Sequence, residues 1–175
     1  AFHDPNPVVM LEHKGLYWSK VPGSKAAKTK EPSDDYVIPL GKARIFQNAS
    51  EEAIDNGDSC VVICYGMGVH WAKNASEKLD GRVEILDLRT LQPYDWNMIK
   101  ERVEFHGKAL VLTEEVLENS FAESLAGKIS KECFQKLDAP IFTFGSETTP
   151  AIPLNSTLEA TMLPNADKVR KAIED

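Results

Sequence analysis

The sequence has no apolar run approaching the roughly 20 residues that a membrane-spanning helix requires. It has no excess of basic residues either, since 20 lysines and arginines stand against 27 acidic residues. The resulting net charge of −7 argues against a nucleic-acid surface, which needs clustered positive charge. The first residues lack the pattern of a signal peptide. We therefore expect a soluble globular protein, cytoplasmic or from the mitochondrial matrix, with neither membrane nor nucleic acid as a partner.

Cysteine is scarce, and its three residues are odd in number. Cys60 and Cys64 lie four residues apart in a predicted strand and so share a face, which favours buried, reduced thiols. No C-x-x-C pair occurs, and the histidines lack metal-ligand spacing, so the sequence predicts no cysteine–histidine metal site. His70 opens a predicted helix, where we expect a partly buried, hydrogen-bonded imidazole.

The clearest pattern lies between residues 59 and 95. An apolar run at 60–65 predicts a strand buried on both faces, and Gly66 and Gly68 end it. Apolar residues then recur at helical spacing until Asp80 and Gly81, and a second strand follows from Val83 to Leu86. This strand, helix and strand predict a right-handed βαβ unit.

The glycine turn in this unit invites comparison with a dinucleotide-binding loop, and Asp87 lies at a suitable distance downstream. That fingerprint would place its third glycine at Trp71, where close packing of helix and strand requires a residue without a side chain. A tight turn in an α/β sheet is the favoured interpretation.

The remaining pattern continues the alternation of strands and helices. Short strands are predicted at 8–12, 43–47, 109–113 and 141–144, a polar turn at 48–58, and helices after Asp95, Ser120 and Asn165, whose side chains are N-cap types. Gly107 is predicted to end the first of these helices. The alternation predicts an α/β fold, a three-layer αβα arrangement around a mostly parallel, twisted sheet.

In such sheets, ligands bind beyond the carboxyl ends of the strands. The corresponding loops are residues 66–68, 90–95, 113–119 and 145–150. Glu114, Glu115 and Glu118 follow one of these strands, where crowding could raise a carboxyl pKa enough for acid–base catalysis. Ordinary charged loop residues beside a helix N-terminus are the favoured alternative.

Five segments together resemble a known family: EHKGLYW (12–18), IPLGKAR (38–44), YGMGVHWA (65–72), ILDLRTLQPYD (85–95) and LDAPIFTFGSETTP (137–150). They are similar to the β subunit of thiamine-diphosphate-dependent 2-oxoacid dehydrogenases, the decarboxylating first component of the pyruvate and branched-chain complexes. The resemblance runs through the whole chain and favours the branched-chain (2-oxoisovalerate) type, followed by the pyruvate type.

The resemblance implies three regions. Residues 1–18 would end an upstream pyrimidine-binding domain, the lysine-bearing residues 19–35 would form a linker, and residues 36–175 would form a transketolase C-terminal domain. The glutamate that activates thiamine diphosphate would lie upstream, so we expect this chain to be part of a longer protein. Alone, it should be inactive and should bind neither thiamine diphosphate nor its Mg²⁺. The implied reaction is oxidative decarboxylation of a 2-oxo acid with acyl transfer to a lipoyl group.

The resemblance also implies two sites and several partners. Asp4 and Asn6 correspond to a segment that helps to hold a structural K⁺, with turn-forming side chains as the alternative. Glu147 and the carboxylate of Asp175 correspond to positions that contact the basic subunit-binding domain of the acyltransferase core. Further partners would be the α subunit, or other half of the first component, and a second copy in dimer contacts.

The chain departs from the family where a histidine is common, because Thr113 stands there and Asn119-Ser120 replaces a glycine pair. Two other interpretations remain open. One is a non-catalytic α/β binding module, and the other is the terminal domain of a different transketolase-group enzyme.

Overall fold

A computed structural model describes residue 1, residues 3–18 and residues 20–175. Its helices and strands follow one another as α1 (Lys14–Tyr17), β1 (Arg44–Gln47), α2 (Glu51–Asp55), β2 (Cys60–Cys64), α3 (Met67–Ser76), β3 (Val83–Asp87), α4 (Trp96–His106), β4 (Ala109–Val116), α5 (Phe121–Glu132), β5 (Phe142–Ser146), α6 (Ser156–Met162) and α7 (Ala166–Glu174). Short 3₁₀ turns occupy Lys25–Ala27 and Phe134–Lys136.

The five strands form one sheet in the order β1-β3-β2-β4-β5. The pairs β3–β2, β2–β4 and β4–β5 are parallel, and β1 lies antiparallel on the outer edge of β3. The predicted mostly parallel sheet is confirmed. The chain leaves β2 towards β3 on one side and later returns to β4 on the other, so the strand order reverses between β2 and β4.

Alternating side chains of the central strands fill two separate cores. Val61 and Ile63 of β2 face α4 and α5, and Val62 and Cys64 face α3 and α7. Each core is completed by one buried face of its helices, which include Ile99, Val103, Leu125 and Ile129 on one side and Val69, Ala72, Ala75 and Val169 on the other. This is the predicted αβα arrangement, and it explains the uninterrupted apolar run in β2.

The predicted helix ends are confirmed by their hydrogen bonds. The side chains of Asp95 and Asn165 accept backbone N–H groups in the first turns of α4 and α7. Ser120 caps α5 by accepting the N–H of Glu123 at 3.1 Å. Gly107 ends α4 with φ +69°, a left-handed conformation that glycine adopts without the penalty of a side chain.

Two predictions for the less regular parts of the chain are wrong. Residues 8–12 form no strand, because no strand in the described part of the chain pairs with them, and the side chains of residues 9–11 are exposed. The predicted polar turn at 48–58 contains α2, capped by Ser50, whose side chain accepts the N–H of Ala53. The bounds of the other predicted strands agree to within a few residues.

The segment that precedes the sheet lies partly against α3. Leu16 and Val21 pack on the α3/α7 core, Ser24 is buried, and Asn74 donates from its side chain to the carbonyl of Gly23 at 3.1 Å. From residue 28 to residue 40 the side chains are exposed. Among the described residues, no helix is long and apolar enough to cross a membrane.

A buried charged cluster lies at the amino-terminal edge of the sheet. Arg102 on α4 donates two hydrogen bonds of 2.6 Å to the carboxylate of Glu84 on β3, whose side chain is only 1% exposed. The Nε2 atom of His106 lies 3.3 Å from the same carboxylate, and its Nδ1 atom lies 2.8 Å from the hydroxyl of Ser59. Burial tends to raise the pKa of Glu84, but His106 and Arg102 outweigh it and hold that pKa below its ordinary value.

Candidate functional site

The carboxyl ends of β2 and β4 meet where the strand order reverses, which is the place where α/β sheets usually bind ligands. Tyr65 follows β2 here, and its hydroxyl lies 2.7 Å from Thr113 Oγ1 and donates to Glu115 at 3.0 Å. The same carboxylate accepts the N–H of Phe121 at the start of α5. The predicted convergence of the loops after β2 and β4 is therefore observed.

Aromatic side chains cover this junction on the α4/α5 side. Tyr94, from the loop before α4, lies edge-to-face with both Trp96 and Phe121, and Phe121 lies edge-to-face with Tyr65. Lys128 lies over the rings of Trp96 and Tyr94. Burial is the main cause that raises the pKa of Tyr65, to about 12, so its phenol stays protonated and donates to Glu115.

Glu114 and Glu115 have different partners. Glu114 pairs with the imidazole of His13 at 3.0 Å, whereas Glu115 caps the start of α5. Glu115 is thus a charged residue at a helix N-terminus, in agreement with the favoured alternative, and among the described residues neither carboxylate contacts a cysteine.

The prediction of a buried, hydrogen-bonded imidazole at His70 is met in its burial, and one of the two ring nitrogens lacks a partner among the described residues. His70 is buried, its Nδ1 atom has no hydrogen-bond partner there, and desolvation is the main cause that lowers its pKa. A lowered pKa favours the neutral ring, which tolerates burial on the inner face of α3 without an ion pair.

Residues 87–95 form hydrogen bonds that hold the start of β1, and the residues just before it, against this edge of the sheet. Asp87 accepts from Arg44 at 3.1 Å and from the N–H of Arg89 at 3.2 Å. The guanidinium of Arg89 donates to the carbonyl of Lys42, and Asp95 accepts the N–H of Ala43 while it caps α4. Asp87 therefore has a structural role, as the tight-turn interpretation of this unit requires.

An acidic pocket of about 280 Å³ lies between the loops that follow β4 and β5. Leu117 and Phe144 contribute apolar side chains, and Glu118, Glu123 and Glu147 contribute three carboxylates. In the part of the chain that the structure describes, none of these carboxylates forms an ion pair. The pocket can therefore receive a cationic group, with apolar side chains against its aliphatic stem.

Gly145 forms part of this pocket and cannot carry a side chain there. A Cβ atom would lie 2.9 Å from the carbonyl oxygen of Glu115 and 2.9 Å from a methyl group of Thr113. The absence of a side chain at this position allows β5 to lie this close to β4.

A larger cleft, of about 600 Å³, is lined by residues 21–23 and by residues of α3 and α7. Lys168 is one of its lining residues, and its ammonium group donates to the carbonyls of Ala160, Thr161 and Leu163. Because this lysine closes the end of α6, it is not free to bind a ligand.

The remaining site residues predicted from the resemblance lie on the surface or in a turn. Asn6 donates to Asp4 from its backbone at 2.9 Å and from its side chain at 3.1 Å, and the backbone bond is the main cause that lowers the pKa of Asp4. Glu147 and Asp175 are both exposed. No group of three or more His, Cys, Asp or Glu side chains with metal-binding geometry occurs within residues 1, 3–18 and 20–175.

Comparison with known proteins gives consistent matches. Residues 51–169 match the family described as transketolase, C-terminal domain. The chain is 37% identical to the 2-oxoisovalerate dehydrogenase subunit beta of Bacillus subtilis over 100% of its own length and 50% of that relative. It is 32% identical to the pyruvate dehydrogenase E1 component subunit beta of Rhizobium meliloti over 99% of its length and 35% of the relative.

The fold also matches a solved structure, a split gene transketolase described as an inactive beta4 tetramer, with a TM-score of 0.63 and 17% identity. That match covers 83% of this chain and 44% of the other. The chain spans about half the length, or less, of the relatives it matches.

Proposed function

Because this chain belongs to the transketolase C-terminal domain family, we propose that it serves in the β subunit of a thiamine-diphosphate-dependent 2-oxoacid dehydrogenase. The observation that supports this most is the 37% identity to a 2-oxoisovalerate dehydrogenase β subunit along the entire chain. The enzyme would decarboxylate a 2-oxo acid oxidatively and pass the acyl group to a lipoyl group. We propose 2-oxoisovalerate ahead of pyruvate, since the pyruvate relative named above is less similar.

The role of this chain would be assembly and docking rather than chemistry. The hydroxyl of Tyr65 and the carboxylates of Glu114 and Glu115 are each engaged with neighbouring residues, and this arrangement stabilises the loops at the carboxyl edge of the sheet. The carboxylates of the acidic pocket are exposed and form no ion pair among the described residues, although Glu123 accepts the N–H of Asn119 at 2.8 Å and Glu118 accepts the hydroxyl of Thr148 at 3.5 Å. We propose that they contact the basic subunit-binding domain of the acyltransferase, with an α subunit and a second β subunit as further partners.

We expect isothermal titration calorimetry to detect no binding of thiamine diphosphate, with or without Mg²⁺, by the 175-residue chain. The reason is that the resemblance assigns the glutamate that activates the thiamine ring to a different part of the β subunit. Saturable binding of the cofactor would contradict the assignment of residues 36–175 to a domain outside the catalytic centre.

We expect Glu147→Gln to weaken binding of a branched-chain acyltransferase subunit-binding domain by about threefold to fivefold, mainly through a slower association rate, because an exposed interface charge contributes chiefly to steering. Surface plasmon resonance at several salt concentrations measures both the rate and its dependence on ionic strength. The variant should show a weaker salt dependence than the wild-type chain.

The control is Glu52→Gln, which makes the same change of charge on exposed α2, at the opposite edge of the sheet. It should bind like the wild type. Equal affinities for the wild type and Glu147→Gln would remove Glu147 from the site, and no binding by the wild type would contradict the docking role itself.

The K⁺ site and the division of the chain remain predictions. Asp4 and Asn6 are tied to each other, and they retain one carboxylate oxygen and one amide oxygen for a cation, so any further ligands would have to come from elsewhere. The family match at 51–169 lies inside the predicted terminal domain at 36–175.

A further inference from the structure

A strap formed by residues 12–18 and 20–24 lies against α3 before the chain enters the sheet. Its second half, residues 20–24, is firmly anchored. Ser24 is fully buried, and Asn74 on α3 donates from its side chain to the carbonyl of Gly23 at 3.1 Å. This half of the strap is therefore fixed both by burial and by a hydrogen bond to the helix beneath it.

The first half of the strap, which contains α1, is held less firmly. None of the four residues of α1 is buried, and Leu16 is only half-buried where it packs on the α3/α7 core. At its start, the imidazole Nε2 atom of His13 lies 3.0 Å from the carboxylate of Glu114 near the end of β4. Because a helix of one turn is unstable by itself in water, α1 depends on such contacts to keep its position.

The imidazole of His70, in the first turn of α3, lies close to this half of the strap. His70 is only 6% exposed. Desolvation is the main cause that lowers the pKa of His70, Asp87 opposes this effect, and the imidazole of His13 adds to it. His13 is therefore near enough for its charge to act on His70, so the start of the strap is one of the walls around this shielded ring.

We propose that the contact between His13 and Glu114 is a latch. When it breaks, residues 12–18 move away from α3, residues 20–24 stay in place, and His70 becomes accessible to solvent. Both partners of the latch are partly exposed, and such a pair contributes little to stability, so a small perturbation can open it. Segments with few buried residues open locally while the core stays folded. This inference concerns the chain itself and does not depend on the proposed function.

The test measures the initial rate at which diethyl pyrocarbonate modifies each histidine, resolved by mass spectrometry of peptides. Glu114→Ala removes the latch, and we expect it to raise the rate at His70 by about twofold to fivefold, the effect of losing a partly exposed pair. The rate at His106, which is buried beside Glu84 at the opposite edge of the sheet, should not change. Amide hydrogen exchange should accelerate in the first half of the strap and not in its anchored second half.

Further variants make the result specific to the latch. His13→Ala should act like Glu114→Ala, and the double variant should react at His70 no faster than either single variant, because all three lack the same contact. The matched control Glu118→Ala removes an exposed carboxylate four residues further along and should behave like the wild type. An unchanged rate at His70 in Glu114→Ala, or effects that multiply in the double variant, would overturn the inference. An equal rise at His106 would also overturn it, since the protein would then open as a whole.

Discussion

Arg102→Met is expected to destabilise the protein by about 3–5 kcal/mol, because it leaves the carboxylate of Glu84 charged, buried and without its main partner. Methionine keeps an apolar side chain beside Phe105, over whose ring the guanidinium lies at 4.4 Å. The loss is therefore caused by the missing charge rather than by a cavity. Urea denaturation followed by circular dichroism measures it.

Two control variants separate the burial of charge from the mere loss of an ion pair. Glu84→Met/Arg102→Met should recover most of the lost stability, since a buried pair replaced by apolar side chains is often close to neutral. Lys78→Met breaks the exposed pair with Asp167 and should change the free energy of unfolding by less than about 1 kcal/mol. A loss below about 1 kcal/mol in Arg102→Met would mean that Glu84 does not depend on this arginine.

The same cluster predicts the direction of a pH effect. The folded pKa of Glu84 lies below its ordinary value, so its stabilising contribution is present above the unfolded pKa and is lost as the pH falls through the folded pKa. Without Arg102 the pKa of this carboxyl should rise. The destabilisation of Arg102→Met relative to the wild type should therefore be largest near neutral pH and should shrink in acid.

Ile63→Ala and Ile85→Ala are each expected to reduce the free energy of unfolding by about 2–5 kcal/mol, the usual cost of a cavity in a well-packed core. Both side chains are fully buried, and they face opposite sides of the sheet, Ile63 towards α4 and α5 and Ile85 towards α3 and α7. Comparable losses in the free energy of unfolding at the two positions, again measured by urea denaturation, would show that both helical layers contribute similarly to stability.

The milder variants Ile63→Val and Ile85→Val, at about 0.5–1.5 kcal/mol each, keep the comparison measurable if the alanine variants unfold. Leu154→Ala serves as the surface control and should be neutral. A loss at Ile63 with none at Ile85 would indicate that the α3/α7 layer packs loosely on the sheet.

The central part of the fold could be predicted from the sequence because its elements bury whole faces. The strand at Cys60–Cys64 is marked by a continuous apolar run, and α5 by apolar residues every fourth position after a capping serine. Two of the short helices, α2 and α6, gave no such signal. Glu51–Asp55 buries only Ala53, and Ser156–Met162 buries only Met162, so neither has an apolar face to recognise.

The apolar residues at 8–12 led to the opposite error, a predicted strand that the structure does not contain. Residues 8–12 have the composition of a strand, but a strand also needs a neighbour for its backbone hydrogen bonds, and a local pattern cannot supply that information. The side-chain contacts in the candidate site could not be predicted from the sequence either. The sequence indicated which loops converge, but not that Glu114 pairs with His13 while Glu115 binds Tyr65, since both contacts join residues far apart along the chain.

The buried cluster around Glu84 was missed for a related reason, although a weak signal existed. A glutamate within the strand Val83–Asp87, otherwise apolar to its last residue, is a charged residue in a place that demands a partner. Which arginine pairs with this glutamate depends on how α4 crosses the sheet. That crossing is a property of the assembled fold rather than of the local sequence.

The width of the sheet separates its two charged ends. Glu84 on β3 and the acidic pocket beyond β5 are three strand spacings apart, about 14 Å, and they lie at opposite edges. The exposed carboxylates of the pocket are screened over about 8–10 Å at physiological ionic strength, and the buried carboxylate of Glu84 interacts far more strongly with Arg102, which lies 2.6 Å from it. Substitutions that change the charge of the acidic pocket at the carboxyl edge should therefore alter its attraction for a cationic partner while leaving the buried Glu84–Arg102 pair at the other edge intact.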